Sequence, residues 1–188
     1  MQIGEIQQGK NLGIAIVGLG GAVATTAVAG SLMIKKGLQD KVGLPLAEFK
    51  HLDLISYENI HYRGWDIYDE NLYEAARKHK VLNENRLSLI EEELKAITPW
   101  PAASNKNFCS GVTNDNDSEK SLRQQIQLIE NQLYDFAREI VGPVVMMNLA
   151  STEHAVDTGD EIFQSISAFE KALDLGVTTL EMDVVITQ

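Results

Sequence analysis

Short apolar runs alternate along this chain with stretches in which apolar residues recur every three or four positions. Leu12 to Val17 (LGIAIV) is rich in β-branched residues and reads as a strand buried on both faces, as in a parallel sheet. The turn Gly18-Leu19-Gly20-Gly21 follows. Ala22 to Lys36 then predicts a helix of small residues, ended by Gly37, with two lysines in its last turn to suit the negative end of the helix dipole. The stretch 38–59 has no clear period. Ile60 to Ile67 (IHYRGWDI) reads as a second strand, and Asn71 to Lys80 as a helix with capping chemistry in Asp69, Glu70 and Asn71. Leu87, Ile90, Leu94 and Ile97 predict one amphipathic helix over 83–97, ended by Pro99 and Pro101. After a polar loop over 102–118, Leu122, Ile126, Ile129, Leu133, Phe136 and Ile140 hold the helical period of the longest helix, expected over 119–140. Gly142-Pro143 breaks it. Val144 to Leu149 (VVMMNL) reads as another buried strand, Glu161 to Leu175 as a helix, and Thr178 to Thr187 as a last strand. Strands alternating with helices predict an α/β fold whose mostly parallel sheet is flanked by helices.

The 188 residues suit one ordinary domain, and a hydrophobic share of 44% is enough for a core. The formal charge of −11 disfavours phosphate backbones and anionic lipid, which sets nucleic acid aside as a partner. An anionic ligand would need a local positive site such as a helix N-terminus. The single cysteine, Cys109, excludes an intrachain disulfide and points to a reducing, cytoplasmic compartment. Leu12 to Ile34 is uncharged and long enough for a transmembrane helix or a signal peptide core. Glycines 13, 18, 20, 21 and 30 oppose both, so no membrane role is expected.

Ligands of such sheets sit beyond the carboxyl ends of the strands, which directs attention to three places. The first is the glycine turn, where Gly18 and Gly20 allow a tight turn and the helix beginning at Ala22 offers unpaired N–H groups to a pyrophosphate. The third glycine of the usual dinucleotide fingerprint is replaced by Val23, and a plain connecting turn is the competing reading. The second is Asp66, at the end of the second strand, which could accept hydrogen bonds from ribose hydroxyls or cap the next helix. It lies far beyond the usual spacing of about 20 residues from the turn, so 38–59 would be an insertion. The third is the polar turn Asn148-Leu149-Ala150-Ser151-Thr152-Glu153, a ligand edge or a capping turn. His51, His61, His79 and His154 have no metal-ligand spacing, and His79 reads as a solvated surface side chain.

Taken together, GLGGAVATT at 18–26, GWDIYDENLYEAA at 64–76 and VVMMNLASTE at 144–153 resemble inositol-3-phosphate synthase in its bacterial form. PWPA at 99–102 falls where that family has a proline-containing stretch, and the resemblance covers about residues 10–172. It implies a Rossmann-like fold that binds NAD, with Gly18, Gly20, Gly21, Ala22 and Val23 around the pyrophosphate and Asp66 on the adenosine ribose. Asn148, Ser151 and Thr152 would line the cofactor nearer the nicotinamide. The family converts glucose 6-phosphate to inositol 3-phosphate by internal oxidation, aldol cyclisation and reduction, and forms tetramers. Its catalytic lysines and tetramer-forming sheet lie further along the chain than Gln188, so the resemblance implies a truncated synthase, inactive alone, with no catalytic residue of its own here.

The expected organisation is a polar lead-in over 1–11, an NAD-binding domain over 12–160 and a helix–strand tail over 161–188. In the tail, AFEKALDLGVTTLEMDVVIT at 168–187 resembles glycerophosphodiester phosphodiesterase, a metal-dependent TIM-barrel hydrolase. Glu181 and Asp183 match the E-x-D pair that holds a divalent metal in that family, and carboxylates two apart on a strand point the same way. The His-Arg-Gly motif expected upstream is absent. A fusion, a gene-assembly join or a truncated reading frame, with the change of character near residue 174, is one account of the tail; an ordinary amphipathic helix and strand of the α/β domain, with Glu181 and Asp183 facing solvent, is the other. The alternatives to the synthase reading are a phosphodiesterase-related fragment, which would need a divalent metal, and a non-catalytic Rossmann-like binding module. An unpaired terminal strand rich in valine, isoleucine and threonine would favour self-association.

Overall fold

The computed structural model describes residues 11–44, 46, 49, 51–52, 54–102 and 120–151. The segment that could have passed for a membrane span divides into strand β1 (Leu12–Val17), the glycine turn and helix α1 (Ala22–Lys35). No helix among the described residues is long and apolar enough to cross a membrane. Helix α1 closes as its sequence indicates: the Gly37 amide donates to the Ile34 carbonyl at 3.0 Å and the Leu38 amide to Met33 at 2.8 Å.

Strand β2 (Ile60–Asp66) lies parallel to β1, with Leu12 opposite Ile60 and Val17 opposite Trp65. A two-residue strand β3 (Trp100–Pro101) extends the sheet beside Trp65 and Asp66. On the other side, β4 (Val144–Asn148) pairs with β1 from Gly13 to Val17. The order is β3-β2-β1-β4 and every pairing is parallel, so all four carboxyl ends share one edge. The chain leaves β1 for β2 and β3, then returns to the opposite side for β4. The switch point therefore falls between β1 and β4, directly at the glycine turn.

Alternation along β1 decides which helix covers which face. Ile14 and Ile16 turn towards α1, helix α2 (Leu72–His79) and two short helices, α3 (Glu84–Leu87) and α4 (Glu91–Lys95). Val28, Leu32, Leu72, Leu87, Ile90 and Leu94 fill that core. Each buried leucine or isoleucine there contributes about 1.5–3 kcal/mol of hydrophobic stabilisation. Tyr62 reaches into the same layer and donates its hydroxyl to Ser31 at 2.6 Å; burial raises its phenol pKa, partly offset by that bond. On the opposite face, helix α5 (Leu122–Ile140) brings buried Phe136 and Ile140 against Gly13. Trp65 faces this layer too. Its indole N–H donates to Gln132 at 2.7 Å, and its ring meets Trp100 at 5.2 Å between centroids.

Three expectations change in the structure. The single helix expected over 83–97 is α3, a 3₁₀ turn over Ser88–Ile90, and α4. The apolar spacing survives because a three-residue step satisfies a 3₁₀ turn as well as an α-helix. Helix α5 starts at Leu122, three residues later than expected, where Ser121 and Gln124 form a reciprocal capping box. The third concerns β4, expected to be buried: Val145, Met146 and Met147 are 50%, 59% and 43% exposed. Among the described residues β4 pairs on one side only, so its apolar composition does not enclose it. The loop from 103, Cys109, Thr152, His154, the boundary at 160, the tail helix and strand, and Glu181 and Asp183 lie outside the described residues.

Gly64 is the tightest point of the β1–β2 pair, because a Cβ there would overlap the carbonyl oxygen of Ile16. Gly64→Ala is expected to lower the unfolding free energy by about 3 kcal/mol, the upper range for overpacking. Urea denaturation measures it; a loss below about 1 kcal/mol would show that the two strands can separate freely.

Candidate functional site

The glycine turn is built by hydrogen bonds from outside it. Gly18 and Leu19 donate their amides to the Trp65 carbonyl at 2.9 and 3.1 Å, which lashes the turn to the end of β2. Gly20 donates its amide to Asp66 Oδ2 at 2.8 Å. Gly21 donates to the Gly18 carbonyl at 3.0 Å, closing the turn. Gly18 adopts φ +81°, and a Cβ there would stand 3.0 Å from the Ala150 backbone. The loop after β4 thus packs against the turn, and Leu149 donates its amide to the Val17 carbonyl at 2.9 Å.

Helix α1 then starts at Ala22 with Gly21 as its cap, and no side chain caps it. The amides of Ala22, Val23 and Ala24 belong to the first helical turn, which has no intrahelical acceptor for them. No acidic residue lies in that turn, so the positive end of the helix dipole is not neutralised there. The first turn is stiffened from within: Thr25 Oγ1 donates to the Gly21 carbonyl at 2.9 Å and Thr26 Oγ1 to Ala22 at 2.7 Å. Val23 explains its own departure from the fingerprint. A third glycine serves close helix–strand packing, but the Val23 side chain is 65% exposed and crowds nothing.

Asp66 is buried at the end of β2, and both its oxygens hold backbone amides: Oδ2 that of Gly20, Oδ1 that of Tyr68 at 3.1 Å. It does not cap the next helix. That role is taken by Asn71, whose side chain accepts from the Glu74 amide at 3.0 Å. A carboxylate has about four acceptor positions, and among the described residues two of them are used. Beside it lies a cleft of about 420 Å³ lined by Asp66, Ile67, Tyr68, Asp69, Pro99 and Pro101, within the size range of small-molecule sites. Pro99 and Pro101, expected to end a helix, also wall this cleft, and Pro101 lies in strand β3.

On the third strand end, Asn148 turns its Oδ1 to the Ala150 amide at 3.1 Å and so shapes the loop that touches Gly18. Ser151 is exposed at the same edge. The structure thus gathers Gly18, Gly20, Gly21, Ala22, Val23, Asp66, Asn148 and Ser151 at one sheet edge. Sequence reasoning passed over His79. It is exposed, as expected, yet its Nε2 lies 2.7 Å from the Gly20 carbonyl oxygen. Its only signal was its position in the last turn of the helix after Asp66. Among the described residues no group of three or more His, Cys, Asp or Glu could hold a metal ion.

A family model described as myo-inositol-1-phosphate synthase matches residues 44–186. Inositol-3-phosphate synthase 1 of Bacteroides thetaiotaomicron is 34% identical over 177 residues, covering 86% of this chain and 41% of that enzyme. Inositol-3-phosphate synthase of Spirodela polyrhiza is 27% identical over 177 residues, covering 78% and 35%. The crystal structure of inositol-3-phosphate synthase from Caenorhabditis elegans matches with a TM-score of 0.63 at 18% identity, over 88% of this chain and 39% of that one, which is a likeness of fold. The chain spans about two fifths of the length of these relatives. The matched range holds Asp66, Asn148, Ser151 and Thr152, and runs through the tail past residue 174. The glycine turn precedes it. Coverage of 86% is more than residues 44–188 alone can supply, so the bacterial alignment also reaches into the segment before 44.

The geometry makes Asp66 a structural residue before any ligand arrives. Asp66→Ala, which leaves the Gly20 and Tyr68 amides without their acceptor, is expected to lower stability by about 1–3 kcal/mol in ligand-free urea unfolding. An unchanged midpoint would mean that solvent replaces both bonds at no cost.

Proposed function

The chain belongs to the myo-inositol-1-phosphate synthase family, and from that premise we propose that residues 12–160 form its NAD-binding domain. The observation that carries this reading is the uncapped N-terminus of α1 held at the switch point of a parallel sheet, with Asp66 at the neighbouring strand end. The pyrophosphate of NAD would lie on Gly18, Gly20, Gly21, Ala22 and Val23. The two remaining acceptor positions of Asp66 would take the hydroxyls of the adenosine ribose, and the adjoining cleft would take the base. Asn148, Ser151 and Thr152 would border the nicotinamide end.

NAD, when bound, supplies the hydride acceptor and donor of the family's reaction. A protein that carries this domain together with the rest of the family's length would convert glucose 6-phosphate to inositol 3-phosphate, as a cytoplasmic homotetramer. The residues described in this chain contribute binding and orientation: N–H groups for the diphosphate and a fixed carboxylate for the ribose. The turn and carboxylate are joined by a bond already made, so little reorganisation is needed on binding.

Calorimetry with NAD tests the reading. Asp66→Ala should weaken binding, but it also loosens the turn, so Val23→Asp is the sharper variant. A carboxylate at that exposed position favours the helix through its dipole yet repels the pyrophosphate. The expected result is unchanged or slightly higher thermal stability with an affinity lower by about tenfold or more. Equal affinity in the variant, or no affinity in a folded wild-type chain, would remove the pyrophosphate from the turn. Trp65 and Trp100 flank Asp66 and give a second readout, a change in tryptophan emission that saturates with the calorimetric titration.

A further inference from the structure

We propose that His79 is a positioning residue of the dinucleotide site, acting through the peptide between Gly20 and Gly21. The inference rests on the NAD reading above for its functional consequence, and on observed contacts for its geometry. The Gly20 carbonyl can only accept, so at 2.7 Å the His79 Nε2 must carry the proton and donate it. The same peptide ends in the Gly21 N–H, which donates to the Gly18 carbonyl at 3.0 Å. In a trans peptide the C=O and N–H point in opposite directions, so the unit is gripped from both sides. One residue earlier, the Gly20 N–H is held by Asp66. Gly20 therefore has its amide fixed from the end of β2 and its carbonyl fixed from the end of α2.

The grip matters because glycine stands on both sides of this peptide and no Cβ resists its rotation. A flip would break both bonds and turn the Gly20 oxygen towards the Gly18 carbonyl. It would also change the backbone entry into Gly21, the cap of α1, and with it the direction of the first helical amides. His79 is placed for this task by its neighbours. In the last turn of α2, Arg77 pairs with Glu84 at 3.2 Å, and Lys78 pairs with Glu70 at 3.1 Å while lying over the Tyr68 ring. Carboxylates hold both of those side chains, and the imidazole of the next residue reaches the glycine turn.

The test uses His79→Ala and His79→Gln in this chain, since a glutamine Nε2 sits at the same reach as the imidazole Nε2 and can donate in its place. Two readouts are taken: hydrogen exchange of the Gly21 amide without ligand, and NAD affinity by calorimetry. His79→Ala is expected to speed Gly21 exchange and weaken NAD binding about five- to tenfold, the worth of one hydrogen bond. His79→Gln is expected to stay within about twofold of wild type on both. Both variants should stay folded, with stability lowered by no more than the worth of that one hydrogen bond, because the side chain is exposed. Unchanged Gly21 exchange in His79→Ala overturns the proposal whatever NAD does. Equal losses in the alanine and glutamine variants also overturn it, since a donor at that reach would then not matter. Faster exchange in His79→Ala, restored by glutamine, in a chain that does not bind NAD at all would uphold the grip and reject the cofactor reading instead.

Discussion

The hydrogen bond from the Gly20 amide to the Asp66 carboxylate joins positions 46 residues apart and fixes the geometry of everything at this sheet edge. Gly20 lies in the turn that launches α1, and Asp66 ends β2. Because β1 and β2 are parallel and in register from Leu12–Ile60 to Val17–Trp65, their ends arrive together, and the bond forms without distortion of either strand. The second oxygen of the same carboxylate sets the start of the loop that walls the adjoining cleft. One side chain thus ties the uncapped N-terminus of α1 to the end of β2. Its charge is met by backbone amides, which limits the repulsion a nearby diphosphate would feel.

Two packing layers keep those strand ends where they are. On one face, Ala24, Val28, Ala29 and Leu32 of α1 share one core with Ile16 of β1, Leu72 of α2, Leu87 of α3, Ile90 of the 3₁₀ turn and Leu94 of α4. On the other, Phe136 and Ile140 of α5 lie against Gly13, and the Trp65–Trp100 pair packs beside Asp66. The family membership fits this division of labour. The Caenorhabditis elegans structure shares this fold at 18% identity with a TM-score of 0.63, while 46 residues of sequence separate Gly20 from Asp66.

Much of this was legible because β-strands and amphipathic helices leave different periods. β1, α1 and β2 stand within a residue of their expected limits, and the three strand ends flagged for ligands meet at one edge. What escaped had physical reasons. A two-residue strand such as β3 is too short to have a period, and its Pro101 suggested termination rather than pairing. The run VVMMN has the composition of a buried strand, but composition does not count a strand's neighbours; among the described residues β4 pairs only with β1, and Val145, Met146 and Met147 are exposed. Leu87, Ile90 and Leu94 are buried as their spacing indicates, although the backbone between them switches to 3₁₀. Asp66 could be read as a cap or a ligand residue; the cap of α2 is Asn71, and the hold of Asp66 on the Gly20 and Tyr68 amides has no signal in the spacing of the sequence. His79 carries no pattern at all; its relevance comes from the packing of α2 beside α1.

The central claim is that a preformed turn, held by Asp66, presents the first amides of α1 to a dinucleotide. The most direct measurement is a titration of the isotope-labelled chain with NAD, followed through backbone amide resonances. The account predicts that the largest shifts fall on Gly18 to Ala24 and on Asp66 to Asp69, with the rest of β1 and β2 unmoved. Shifts centred elsewhere, or a spectrum unaffected by NAD in a folded chain, would contradict it.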